Sequence, residues 1–440
     1  MTPKQELEAW RISGISRKYP SYRRKLFISH ESWLEGKSQD DESEGLWRIR
    51  DKLYDLTDFA KRHPGGAFWI ERTKGTDITE PFESHHIGES ASRLLPKYEV
   101  RAAKQPRNYK FTLDENGFYM TLKRRVRDKL KALNYKPTRK TDLLHSGILA
   151  ALFLFTWLDG RTDYLLFKGL AALSLCWLGT SAHNFFHQRD NWRMYTFNFT
   201  LMNYTTWRIS HALSHHVYPN SLHDLEMSLF EPFLCWVPSR HYATKLQRII
   251  SVFISPVVYC LLGYVQLIER IVYSLTKSNI MFWHDVIGFS LPAFLYLTTD
   301  LSLGDALVKW LTILTSGSFL FGFIGLTAAH HDPRIYHDGD AVRPDHDWGL
   351  FQIDTIIDRG DVKWSDLLVL THFGEHALHH LFPTLDHGVL KLLYPELQQT
   401  LKEFNGELRE INHWGHIKGQ TQQLLRTEVN PVPPGSKKLA

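Results

Sequence analysis

Histidine carries most of the chemistry that this sequence offers. The chain has 24 His among 440 residues, many in short clusters. Four clusters stand out: His183-Asn-Phe-Phe-His187, His211-Ala-Leu-Ser-His215-His216, His330-His331 and His376-Ala-Leu-His379-His380. On a helix, residues three or four apart share a face, so each box can aim two or three imidazoles at one point. One such box would arise by chance and read as a polar helix end. Four of them, each beside a long apolar run, read as a metal site. His183, His187, His211, His215, His216, His330, His376, His379 and His380 would serve two metal ions with four or five ligands each. Imidazole suits iron, zinc and copper alike, so the ligand type does not choose the metal. No HExxH occurs, which disfavours a zinc hydrolase. Asp224 and Glu226, just after the second box, read as solvated surface charges, with orientation of a ligand as the alternative.

A different pattern precedes the boxes. Residues Trp47–Tyr54 alternate apolar and polar, as a half-buried strand does. Next comes His63-Pro64-Gly65-Gly66, a rigid turn that fixes the histidine on it. His85 and His86 follow. Two imidazoles on opposite faces of a heme fill both axial positions, and such iron carries electrons instead of binding oxygen.

These groups need elements to hold them. At 440 residues, two or more domains are expected. The N-terminus has no charged-then-apolar signal sequence, so the first domain is expected to stay in the cytosol. Three cysteines, Cys176, Cys235 and Cys260, lie in apolar surroundings and suit a reducing compartment. The net charge of +5 matters less than its placement: residues 101–140 hold thirteen Lys/Arg against three Asp/Glu. This block precedes the first apolar run, so lipid headgroups are a better partner for it than nucleic acid. Phe118, Leu122, Val126, Leu130 and Leu133 recur at helical spacing, which predicts an amphipathic helix on the membrane surface. Residues 143–158 and 164–182 read as a first transmembrane hairpin. The run 249–275 contains Pro256, Gln266, Glu269 and Arg270 and reads as interfacial, because charges at bilayer depth are costly. Residues 281–299 and 305–329 then form a second hairpin.

FAKRHPGG, DITEPFESHH and LLPKYEV together resemble the cytochrome b5 fold over about residues 31–105. The resemblance implies heme b with His63 as one axial ligand. The second ligand maps to His86, 23 residues later and four after Phe82, with His85 as runner-up. The spacing HxxxH, HxxxHH, HxxHH, with HHVYPNSLHDLE and EHALHHLFPTLDH, resembles membrane fatty-acid desaturases. The whole is similar to b5-fused members of that family, an insect branch included. It implies an α+β cytochrome b5-like heme domain followed by an all-α polytopic membrane domain. That domain would have about four transmembrane helices in two hairpins and a cytosolic His-rich cap. The expected division is 1–30 extension, 31–105 heme domain, 106–140 basic amphipathic segment, 141–400 di-iron domain and 401–440 cytosolic tail.

The implied chemistry is O2-dependent desaturation of a fatty acyl lipid or acyl-CoA at two non-heme iron ions. Electrons would come through the heme from a separate NADH-dependent cytochrome b5 reductase, since no flavin or nicotinamide fingerprint occurs. Lys437 and Lys438 resemble an endoplasmic reticulum retrieval signal, which puts both termini in the cytosol. Two departures bear on activity. His376 stands where front-end desaturases carry Gln, and the first box holds Asn-Phe-Phe where Asp-x-Gly is frequent. A hydroxylase on the same scaffold, and a membrane-anchored heme electron carrier with an inactive desaturase half, are the alternatives.

Overall fold

The computed structural model describes residues 13–239, 242–276 and 283–435. Lys437 and Lys438 lie outside the described residues, as do residues 281–282 of the second expected hairpin.

The N-terminal unit is built on helix α1 (His30–Asp41) and a three-stranded antiparallel sheet, β1 (Trp47–Ile49), β2 (Lys52–Tyr54) and a later strand. Trp47–Tyr54 is therefore a hairpin and not one strand. It reverses at Arg50-Asp51, where Arg50 takes φ 55°, and Trp47 pairs with Tyr54. Helix α2 (Thr79–His85) follows, and β3 (Glu99–Ala102) closes the sheet on β2. Trp47, Ile49, Tyr54, Leu56, Ala60, Ile70 and Phe82 form a small core of its own.

This unit is fused into the rest of the chain, not tethered to it. Trp33 of α1 is 2% exposed and donates its indole N–H to His223 O. Lys37 is buried between Asp41, Tyr109 and Tyr218. Arg107 ties Asp77 and Glu80 of the heme unit to the following segment.

Helix α3 (Phe118–Ala132) forms where the apolar spacing predicts it. Its partner differs from the expected one. Phe118, Tyr119, Leu122 and Val126 are fully buried against protein, with Tyr119 on Trp348 and Phe382 and Phe118 on Phe404. Its cations meet carboxylates instead of lipid headgroups: Lys123 with Glu83, Arg125 with Glu403, Arg127 with Glu89 and Lys129 with Glu396. Charge composition alone could not distinguish a phosphate partner from a carboxylate one.

Helices α4 (Arg139–Thr162) and α5 (Leu165–Phe186) form the first apolar hairpin. Thr138 caps α4 by accepting from Thr141 N. At 22 residues α5 is about 33 Å long, enough to cross a bilayer. Helix α6 (Lys245–Thr276) comes next. A 3-10 segment, Trp283–Phe289, then leads into α7 (Ser290–Thr298) and α8 (Leu303–Gly325). Four helices, α4, α5, α6 and α8, are long and apolar enough to cross a membrane by length and composition.

Packing distinguishes α6 from the other three. The α4–α5 turn meets the α7–α8 turn: Arg161 pairs with Asp300, and Gly160 abuts Leu295 and Thr299. The 3-10 segment and α7 together measure about 27 Å, and α7 packs against α4 and α8. Both ends of α6 instead meet elements on the His-bearing side. Arg248 donates to carbonyls of Cys235, Val237 and Leu424. Near the other end Glu269 faces His30, and Arg270 donates to Leu201 O beside Asp285. Its outer stripe, Phe253, Val257, Leu261, Val265 and Ile268, is exposed and apolar, as suits a helix lying along the interface.

Helix α9 (His376–Leu381) carries the last box. The expected C-terminal tail is folded in: Asp358–Arg359 pairs in parallel with Glu410–Ile411. Helix α10 (His413–Leu425) packs on α6, where Gln420 bonds Tyr259.

This arrangement gives a labelling prediction. Single cysteines at Lys245 and Glu269 should react with an impermeant reagent from the same side of sealed vesicles, and a cysteine at Asp300 from the other. Labelling of the two α6 positions from opposite sides would make α6 a span.

Candidate heme and metal centres

The first centre lies between α2 and the HPGG turn. His63 Nδ1 bonds Gly66 O at 2.9 Å, and His86 Nδ1 bonds Phe82 O at 2.8 Å. Those bonds fix the tautomers and turn each Nε2 outward. The two rings face each other with centroids 6.1 Å apart. Phe59 flanks His63, and Phe82 flanks His86. Burial lowers the pKa of His86 to about 4, so its imidazole is neutral, as an iron ligand requires. His85, the runner-up, turns elsewhere: its Nδ1 bonds Pro81 O and its ring lies on Trp69, 5.3 Å between centroids. Ile87 packs into the large core that continues into the membrane domain. Three successive residues thus face three different surroundings, and only His86 pairs with His63.

The boxes converge on two adjacent points. His183, His187, His211, His216 and His379 form one group, and His215, His330, His376 and His380 form the other. Within the first, His183 Nε2 lies 2.8 Å from His211 Nε2, 3.1 Å from His187 Nε2 and 3.0 Å from His379 Nε2. His216 Nε2 is 3.0 Å from His211 Nε2. In the second, His330 Nε2 is 2.7 Å from His376 Nε2 and 3.1 Å from His380 Nε2. Imidazoles bound to one metal at about 2.1 Å sit about 3 Å apart when their bonds are at right angles.

Backbone register divides the ligands. The second box lies on a π-helix, Arg208–His215, in which His216 N bonds His211 O. Residues five apart then align, so His211 and His216 join one group while His215 faces the other. Such π segments mark functional sites. In the last box His376 and His380, four apart on α9, go together, and His379 joins the first group. The expectation that each box shares one face is therefore corrected. His331 turns away and stacks on Trp236 at 4.0 Å.

The far nitrogens explain the aim of the near ones. His330 Nδ1 bonds Thr355 O, and His380 Nδ1 bonds Gln352 Oε1. His215 Nδ1 bonds Asp224 Oδ2 and His211 Nδ1 bonds Glu226 Oε2, each at 2.8 Å. Each Nδ1 donates, so each Nε2 presents a lone pair to the shared point. Burial and neighbouring imidazoles hold His187, His216, His376, His379 and His380 well below the usual histidine pKa. Burial also works against charge on His215, but Asp224 and Glu226 outweigh it and raise its pKa. Several lone pairs meeting in a buried space repel one another, and a cation relieves that. The donor sets fit two metal ions.

Asp224 is fully buried and Glu226 half-buried, so their reading as solvated surface charges is wrong. Gln352 and Thr355 reach the site from a separate helix end, and no motif marks them. Asn184 Oδ1 accepts from His387 Nδ1 at 2.8 Å, and His387 stacks near His379. Asn184 also donates to Asp386. A carboxylate at position 184 would face that of Asp386, which gives a physical reason for the amide in the first box.

A histidine pair of the kind that holds heme lies beside two convergent histidine groups and two apolar hairpins. Comparison with known proteins agrees. Residues 164–412 match the family model "Fatty acid desaturase", and residues 32–104 match "Cytochrome b5-like Heme/Steroid binding domain". The chain belongs to the fatty acid desaturase family, with a cytochrome b5-like domain at its N-terminal side. It is 55% identical to a "Cytochrome b5-related protein" of Drosophila melanogaster, over 98% of this chain and all of that protein. It is 23% identical to a "Probable Delta(5) fatty acid desaturase C" of Dictyostelium discoideum, over 87% of this chain and 91% of the relative. An "Acyl-lipid (8-3)-desaturase" of Mortierella alpina is 24% identical over 86% of this chain and 91% of its own. No solved structure matches the chain.

Replacing Asp224 tests the outer partners. Asp224→Asn should weaken metal retention at the four-histidine group by about 10- to 100-fold, read as metal content after graded chelator treatment, with the heme spectrum unchanged.

Proposed function

We propose that the protein is an O2-dependent membrane oxidoreductase of the desaturase type that acts on a fatty acyl chain. One observation carries this reading. An apolar cavity of about 320 Å³ has His211, His215, His330 and His376, from both histidine groups, in its wall. Met202, Trp207, Leu262, Phe321 and Phe373 line the rest. Val257, Leu261 and Val265 of α6 line it too and are exposed, as is Phe233 in the preceding loop. The cavity thus opens toward the lipid-facing stripe of that helix, where an acyl chain is already dissolved.

His63 and His86 would hold heme b, and the nine box histidines would hold two non-heme irons. The irons, when bound, would supply dioxygen activation and removal of hydrogen from an unactivated C–H bond. The chain's own work is orientation and exclusion. Asp224, Glu226, Gln352 and the Thr355 carbonyl hold ring planes through Nδ1. The aromatic lining keeps water from the reacting carbon and fixes which carbon lies nearest the histidines. The bis-histidine heme would deliver electrons singly. An NADH-dependent cytochrome b5 reductase would reload it, and the acyl group would arrive as a lipid or as acyl-CoA. Residence in the endoplasmic reticulum membrane, with both termini cytosolic, completes the reading: the heme unit and both metal groups lie on one side of the hairpins.

Expression in a yeast host with a defined lipid profile is the test. The protein should add an unsaturated or hydroxylated acyl species that disappears without O2. His376→Ala should abolish it while the heme still reduces. A product that survives His376→Ala would contradict the metal assignment.

A further inference from the structure

The seam between the two centres is made of few side chains. His85 is the last residue of α2 and precedes His86. Its Nδ1 is bound to Pro81 O at 2.9 Å, which directs Nε2 away from α2. That Nε2 is buried and has no hydrogen-bond partner among the described residues. Its ring packs on Trp69, and the Arg208 guanidinium also lies over the indole, 4.7 Å from the Trp69 centroid. Arg208 in turn bonds Phe186 O and Asp190, which flank His187 in the first box. The Asp190 carboxylate lies against Gly66, where φ is +109° and a side chain would collide with it. Thr384, four residues past His380, donates to His85 O at 3.5 Å. The Asp190–Gly66, Arg208–Trp69 and Thr384–His85 contacts join the heme unit to the segments around the histidine boxes, and His85 is an electrostatic neighbour of both His86 and His187.

We propose that this seam is the route by which electrons leave the heme, with His85 and Trp69 as the mediating rings and His187 as the point of entry. The proposal rests on the reading of the two centres above. With both centres loaded, each step would move one electron from ferrous heme held by His63 and His86 to a ferric ion held by the five-histidine group. No bond breaks and no proton moves at His85. A flavoprotein reductase returns the heme to the ferrous state. Tunnelling weakens steeply with distance through unfilled space, so side chains that fill the seam, among them the His85–Trp69 ring pair, raise the rate. The consecutive pair His85-His86 then has a division of labour: His86 for the heme, His85 for the exit.

The full chain loaded with heme and iron tests this. The heme is reduced without oxygen, mixed with oxygenated buffer, and its absorbance followed. His85→Ala should keep the heme spectrum, the iron content and the hydrogen-exchange protection of the Gly66–Trp69 and Thr384 segments. It should slow heme reoxidation by about tenfold or more, and His85→Phe, which refills the gap, should restore most of the rate. Wild-type speed in His85→Ala overturns the route. So does slow transfer with lost protection, which would make His85 a docking contact only. If His379→Ala, which breaks the five-histidine group, leaves wild-type reoxidation unchanged, the two-centre reading fails and the route falls with it.

Discussion

Nine imidazole lone pairs aimed at two buried points are the constraint on which this molecule is built. Unsatisfied buried polar groups cost about 1–3 kcal/mol each, and here the far nitrogens of His187, His216, His376 and His379 also have no hydrogen-bond partner among the described residues. Such an assembly would gain stability from a bound cation, and it needs rigid support of its own. The support is visible. Helix α5 brings the first box to the end of an apolar span. A π-helix splits the second box between two points. A short helix after a left-handed Glu375 presents the last. Buried carboxylates, an amide and a carbonyl fix the ring planes from behind.

The same demand accounts for the fusion of the heme unit. An electron carrier that docks and departs would need an exposed, partly wet interface, and water near the metal points would spoil the chemistry proposed for them. This chain instead threads α1 into the core beside the second box and buries the stripe of α3 against the helices around the last. Gly66 and Asp190, and His85 and Thr384, close the remaining gap. The cations of α3 pair with carboxylates of both units, so the segment that a composition reading gives to the membrane serves as the clamp between them.

Residue type and spacing made the chemistry legible. The HPGG turn and the histidine boxes can be read from the chain, and nine of the box histidines converge on two points. What could not be read depends on tertiary register. Which histidines share a point follows from a π-helical turn that has no sequence signature of its own. The choice between His85 and His86 follows from what each faces after folding, Trp69 or His63. Asp224 looked like a surface charge because burial of a carboxylate is legible only once its imidazole partner is in place. Gln352 is more than a hundred residues from the box it does not belong to, and about thirty from the one it serves. The Arg50-Asp51 reversal lacks glycine and proline, the residues by which a turn is usually recognised.

The most direct measurement is the ratio of heme to non-heme iron in the purified full chain. The account predicts one heme and about two further irons per chain, with the extra iron lost from variants of the box histidines and the heme retained. One heme with no further iron, in protein prepared with iron supplied, would contradict the claim that the nine imidazoles form a metal centre.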